Sequence, residues 1–207
     1  MAQITTGIRS ILSNPAVYDF AQTMMGASKN RVWMQNEFIQ AKPGERVLDV
    51  GCGTADVLSV MPDVEYVGFD ISEAYIERAQ ARWGQRGTFH AQLLDKLAVE
   101  TLGKFDLVLA TGLLHHLDDH EVHGLFETLA IALKPGGRVI TVDGTYVDGQ
   151  NPLARFVISK DRGQSVRTPG AYSALAKQHF EAVEGWMEPR AWIPYTYWIM
   201  RLGSPLK

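Results

Sequence analysis

Cysteine is almost absent from this chain: Cys52 is the only one among 207 residues. A disulfide framework within the chain is therefore excluded. Dense runs of lysine and arginine are also lacking, and 20 basic residues face 23 acidic ones for a net charge of −3. Nucleic acid is accordingly not an expected partner, because a phosphate backbone calls for a basic patch or stripe. No uncharged apolar run approaches the ~18 residues of a membrane span, so none is expected. The opening Met-Ala-Gln-Ile-Thr-Thr-Gly-Ile-Arg-Ser has neither the apolar core nor the cleavage pattern of a secretory leader. Internal repeats and low-complexity tracts are missing too. His90, His120, His123 and His179 share no spacing with other ligand types, so no metal site is expected. These absences leave a cytoplasmic enzyme as the expectation. Hydrophobic residues make up 46% and charged residues 21%, which fits an ordinary globular core rather than a disordered chain.

The apolar pattern changes period along the chain. Residues 1–44 read as amphipathic helices: Asn14-Pro15 is a helix start, and a second helix is expected over about 28–40 with Val32, Trp33, Phe38 and Ile39 inward. Short apolar strands follow at Arg46–Val50, Glu65–Phe69, Thr88–Gln92, Phe105–Ala110 and Arg138–Val142. Helices are expected between them at Ala55–Met61, from Ser72 to about Trp83, and at Asp118–Leu133, where Lys134-Pro135-Gly136-Gly137 stops the last one. Strands of about five residues that alternate with helices make βαβ units, and near-continuous apolar strands are covered on both faces. Asn151–Lys160 and Thr168–Gln178 read as helices, and Phe180–Met187 with Tyr195–Leu202 as a closing hairpin. The expected fold is α/β: a doubly wound, mainly parallel seven-stranded sheet with helices on both faces and a C-terminal antiparallel hairpin. It divides into an N-terminal helical lid (1–44), a core (45–143), an insert (144–178) and the hairpin (179–207), all in one domain.

Ligands of such sheets bind beyond the carboxyl ends of the strands. The turn Gly51-Cys52-Gly53-Thr54 sits there, and its glycines let a backbone approach a ligand closely. Asp70, 19 residues past Gly51, ends the second strand and is suited to accept hydrogen bonds from two vicinal ribose hydroxyls. Asp95, after the third strand, falls near where a nucleobase would lie. A dinucleotide fingerprint, G-x-G-x-x-G, would require glycine at position 56, which is Asp. A carboxylate there repels a pyrophosphate, whereas a phosphate-free cation tolerates it.

Val47–Asp56, with Asp70, Asp95, Phe105–Ala110, Leu114–Leu117 and Leu133–Gly137, resembles the motif series of class I S-adenosylmethionine-dependent methyltransferases over residues 45–143. The resemblance implies S-adenosylmethionine as cofactor, met by Asp49, Gly51, Cys52, Gly53, Asp70, Ile71, Asp95, Lys96, Leu97, Ala110 and Thr111, with Tyr18 and Arg31 reaching the methionine part from the N-terminal helices. The chain departs from the pattern at Ala55, where many relatives carry glycine.

Methyl transfer to oxygen or nitrogen is an in-line displacement that needs alignment, and for hydroxyl acceptors a base. His115 and His116 follow the fourth strand and Asp143 ends the fifth, so these three are the candidate catalytic groups. Tyr146, Arg162, Arg167 and Tyr172, in the segment after the fifth strand, are the candidate acceptor-binding residues, and within its polar run 161–167 arginine offers a planar donor fork. A small-molecule acceptor, such as a sugar or secondary metabolite, is expected. A nicotinamide-dependent oxidoreductase and a non-catalytic nucleoside-binding scaffold are the alternatives, and the oligomeric state stays open.

Overall fold

The structure is a computed structural model that describes residues 27–159, 163, 165–190 and 195–206. The expected helix at Asn14-Pro15 and the candidates Tyr18 and Arg162 lie outside the described residues.

Helix α1 (Ala27–Met34) runs into a π-helical turn, Gln35–Ile39, that ends at Gln40 in a left-handed conformation. Ile39 is buried and Trp33 and Phe38 are partly so, but Val32 is exposed, against the inward position expected of it. Strand β1 (Arg46–Val50) enters the glycine turn. The helix expected over 55–61 is reduced to a 3-10 turn, Asp56–Ser59. Ala55, at φ 52° and ψ 34°, is left-handed, and a chain leaving that conformation has only a few residues before Pro62 in which to coil.

Strand β2 (Glu65–Asp70) leads to α2 (Glu73–Trp83), whose N-cap Ser72 accepts from the Tyr75 N–H as its sequence suggests. Strand β3 (Gly87–Ala91) is shifted one residue from the expected span. Helix α3 (Lys96–Leu102) has no counterpart in the sequence reading. Strand β4 (Phe105–Thr111), a 3-10 turn at Leu114–His116 and α4 (Asp119–Ala132) follow, and Asp118 and Glu121 close a reciprocal capping box. Strand β5 (Leu133–Gly144) begins earlier than expected. Its partner register jumps from Phe105–Leu133 to Leu107–Arg138, so Lys134–Gly137 form a bulge at its start instead of a separate turn. Helices α5 (Pro152–Ser159) and α6 (Pro169–Ala176, capped by Thr168) precede the hairpin of β6 (Phe180–Arg190) and β7 (Tyr195–Pro205).

The seven strands lie in the order β3-β2-β1-β4-β5-β7-β6. All pairs from β3 to β5 are parallel, and β7 is antiparallel to both neighbours. Alternate strand residues feed two cores. Leu48, Val67, Val108 and Val139 pack under α4 and α6 with Phe126, Leu129 and Tyr172. Val47, Tyr66, Leu107 and Ile140 pack on the other face with Ile39, Leu58 and Ile76. The chain order reverses between β1 and β4, which opens the crevice at their carboxyl ends where such sheets hold ligands.

Candidate active site

The crevice is built on the turn after β1. Gly51 and Gly53 have φ of 74° and 54°, a region where a side chain is costly. A Cβ at Gly53 would meet nothing within 4 Å, so its outer face is open, whereas one at Gly51 would come within 3.3 Å of the Leu113 side chain. The Gly51 and Cys52 N–H groups donate to Phe69 O at 2.8 and 3.0 Å, which ties the turn to the end of β2. The Asp70 carboxylate accepts from the Gly53 N–H at 3.0 Å with one oxygen and from the Ser72 N–H at 2.8 Å with the other. Each oxygen keeps a second lone pair for a diol.

Asp49, the last acid before the turn, is 2% exposed. Its Oδ2 accepts the Tyr66 hydroxyl at 2.6 Å, and its Oδ1 is buried without a hydrogen bond. Burial pushes the Asp49 carboxyl up to about 7; the Tyr66 hydrogen bond opposes the rise and the Asp70 charge adds to it. Burial, with the Asp49 and Asp70 charges, also pushes the Cys52 thiol well above its usual range, which makes it a packing residue and not a thiolate nucleophile. Asp56 accepts from Thr54 Oγ1 at 3.1 Å and from Arg82, with Arg31 Nη1 4.0 Å away.

These groups fit a nucleoside ligand that carries positive charge and no phosphate. A pyrophosphate would sit on a helix N-terminus, and here the first helical element after the turn is four residues long with Asp56 at its head. The orphaned Oδ1 of buried Asp49 marks the same preference for a cationic or donor group.

The remaining candidates for this ligand fall into three places. Ala110 and Thr111 end β4 beside the turn, with Ala110 fully buried. Ile71 is exposed directly beyond Asp70. Asp95 caps α3, its Oδ1 accepting from the Ala98 N–H at 2.7 Å. Lys96 does not turn to the crevice; its Nζ pairs with Glu127 of α4 at 2.8 Å. Leu97 is 70% exposed in the first turn of α3.

The second half of the site lies across β4. His115 Nδ1 is 2.8 Å from Asp143 Oδ1, and the same oxygen accepts from the His115 main-chain N–H at 3.2 Å. The histidine is 5% exposed and the aspartate 2%. Because a carboxylate only accepts, Nδ1 carries the hydrogen and Nε2 keeps its lone pair. Thus the turn after β4 and the end of β5 make one dyad from residues 28 apart in sequence. The His116 ring lies 4.2 Å from that of His115, at its flank. Gly163 lies against the His115 ring so closely that a Cβ there would overlap it, and the Ser165 N–H donates to His115 O at 3.0 Å.

Two acceptor-binding candidates find partners within the protein. Arg167 donates four hydrogen bonds, Nε to Asp119 Oδ1, Nη1 to Leu114 O and Ser165 O, and Nη2 to Leu117 O, and its Nη2 lies 2.7 Å from the same Asp119 oxygen as an ion pair. It fastens the loop that bears His115 and offers no fork to a ligand. Tyr172 is 1% exposed in the core, with its hydroxyl donating to Gly144 O at 3.1 Å. Tyr146 is partly buried with the Arg155 guanidinium 5.0 Å above its ring. Leu113, Gly163 and the clamping role of Arg167 escaped the sequence reading. Only the lone glycine within the polar run 161–167 could have hinted at the contact on His115.

Among the described residues no group of three or more His, Cys, Asp or Glu converges as a metal would require, and no helix is long and apolar enough to cross a membrane.

Residues 47–137 match a family model described as a methyltransferase domain. A ubiquinone biosynthesis O-methyltransferase of Bordetella avium is 30% identical over 112 residues, which cover 52% of this chain and 45% of the relative. The solved structure of an O-methyltransferase family protein from Burkholderia thailandensis superposes with a TM-score of 0.68 at 18% identity, over 98% of this chain and 65% of that one. Human N-acetylserotonin methyltransferase in complex with S-adenosylmethionine superposes with a TM-score of 0.64 at 18% identity, over 94% and 58%. The chain spans 24% to 57% of the length of eight curated relatives that it matches.

Proposed function

We propose, for a chain that belongs to the class I S-adenosylmethionine-dependent methyltransferases, that it moves a methyl group from S-adenosylmethionine to an oxygen or nitrogen of a small molecule, with His115 as the base. The observation that carries this reading is the buried His115–Asp143 pair, 2.8 Å apart, at the same sheet edge as the glycine turn. Gly51, Cys52, Gly53, Ile71, Ala110 and Thr111 would form the nucleoside surface, Asp70 would take the ribose hydroxyls, and Asp49 and Arg31 would lie toward the methionine part. When bound, the cofactor supplies an electrophilic methyl group on a sulfonium.

His115 accepts the acceptor's proton at Nε2 as the new bond forms. Asp143 holds the ring in the tautomer that carries its hydrogen on Nδ1 and offsets the imidazolium charge. Arg167 and Ser165 hold the loop in place, and Gly163 keeps water off the ring. The acceptor class is proposed as a hydroxylated or aminated metabolite, in line with the small-molecule enzymes among the relatives. Nucleic acid is not proposed as a partner. The cytoplasm is the proposed compartment, consistent with a half-buried Cys52 that forms no disulfide.

Turnover of methyl-labelled S-adenosylmethionine against hydroxylated and aminated metabolite fractions tests this. Activity is expected with at least one fraction, and His115→Ala and Asp143→Asn should each lower kcat by about 10²–10⁴-fold, while His116→Ala should not. Full activity of His115→Ala would refute the base. Calorimetric binding of NAD, with no binding of either S-adenosyl compound, would refute the donor.

A further inference from the structure

The acid at the end of β1 is placed so that its charge depends on the ligand beside it. Asp49 is buried, with one oxygen on Tyr66 and the other without a hydrogen bond. Among the described residues no lysine, arginine or histidine pairs with it. The titratable groups that face it are Tyr66 on β2, Asp70 at the end of β2 and Cys52 in the turn, and each is neutral or negative. On the other side β4 sets apolar Leu109 opposite it in register. A buried carboxylate in that company lacks a counter-charge, and the neutral acid is the favoured form. Yet Asp49 closely precedes the turn whose outer face is open at Gly53.

We propose that Asp49 is a specificity-determining residue that separates the charged methyl donor from its neutral product, by ionising when S-adenosylmethionine binds and regaining a proton when S-adenosylhomocysteine takes its place. This rests on the donor reading above. The donor and the product differ by one methyl group and one positive charge. On donor binding the Asp49 O–H bond breaks, its electron pair stays on the carboxylate, and the proton leaves to solvent. With the product in the site the sulfonium charge is gone, the α-ammonium being common to both ligands, and solvent returns the proton. Donor binding is thereby coupled to proton release, and product is held without that electrostatic gain.

Calorimetry of the full chain with each ligand, from about pH 5.5 to about pH 8.5 and in buffers of different ionisation enthalpy, reads affinity and protons together. Donor affinity is expected to rise nearly tenfold per pH unit below about 7 and then level off, with a proton released, while product affinity stays nearly flat. In Asp49→Asn the ratio of the two affinities should lose its pH dependence. Tyr66→Phe removes the hydrogen bond that favours the carboxylate, so the levelling point should move to higher pH. If both ligands bind and their ratio does not change with pH, or if Asp49→Asn keeps the slope, the proposal is overturned and the donor reading stands. Binding of neither ligand at any pH overturns the donor reading itself.

Discussion

Replacing Arg167 separates a clamp from an acceptor-binding group. Its side chain is 9% exposed, while its carboxylate partner Asp119 is 72% exposed. The Asp119 pair is thus worth at most ~1 kcal/mol. The carbonyls of Leu114, Leu117 and Ser165, at 3.0, 2.8 and 2.9 Å, carry more. A hydrogen bond from a charged donor contributes about 1.5–3 kcal/mol, and these three are neither independent nor wholly shielded from water. Arg167→Ala should therefore cost about 3 kcal/mol, and for a chain of this size the melting temperature should fall by roughly 6–12 °C. Arg167→Lys can satisfy at most a part of the fork and should recover less than half of the loss, about 1 kcal/mol. Urea and thermal unfolding measure both. In methyl-transfer assays Arg167→Ala should lower kcat, because the loop that aligns His115 is loosened. A variant that melts within ~2 °C of wild type and shows only a raised KM would refute the clamp and restore the ligand-binding role.

Two further outcomes follow from backbone and burial. Ala55→Gly relieves a left-handed alanine, a strain of about 1–2 kcal/mol, but gives up a buried methyl and adds chain entropy, about 0.8 and 0.5–1 kcal/mol; stability should therefore change by less than ~0.5 kcal/mol, whereas Ala79→Gly inside α2 should cost about 1.5–2 kcal/mol. Equal losses in the two variants, measured by urea unfolding, would contradict the strain at Ala55. The raised carboxyl of Asp49 binds its proton more tightly in the folded chain than in the unfolded one, so its contribution is fully present below about pH 4 and is lost as pH rises through about 7. Asp49→Asn removes that loss, so its stability relative to wild type should climb by up to about 4 kcal/mol between pH 4 and pH 7.5, and a difference that stays constant across those pH values would show that the acid is not protonated when folded.

Strands were legible where burial on both faces left an apolar run bounded by turn residues, as at Arg46–Val50 and Phe105–Thr111. Helices were legible where caps and periodicity agreed, as with Ser72 before α2 and Asp118 before α4. Helix α3 was not, because its seven residues bury only Val99 and leave Lys96 and Leu97 to solvent, so no apolar stripe announces it. The expected helix over 55–61 failed for the opposite reason: its composition is adequate, but the conformation of Ala55 is imposed by the turn before it.

The chain's own letters carry the proposed donor half of the site. Gly51, Gly53 and Asp70 are local features, a turn and the end of the next strand, and strand pairing of β1 with β2 brings them together almost by necessity. Asp56, which argued against a diphosphate, needed no structure to be read. The other half depended on contacts across the sheet. Only the pairing of β4 with β5 sets Asp143 against His115 and not His116, and only the partners of Arg167 turn an inviting guanidinium into a clamp. A side chain's type limits what it can bond, but which bonds it makes depends on neighbours distant in sequence, and those are set by packing.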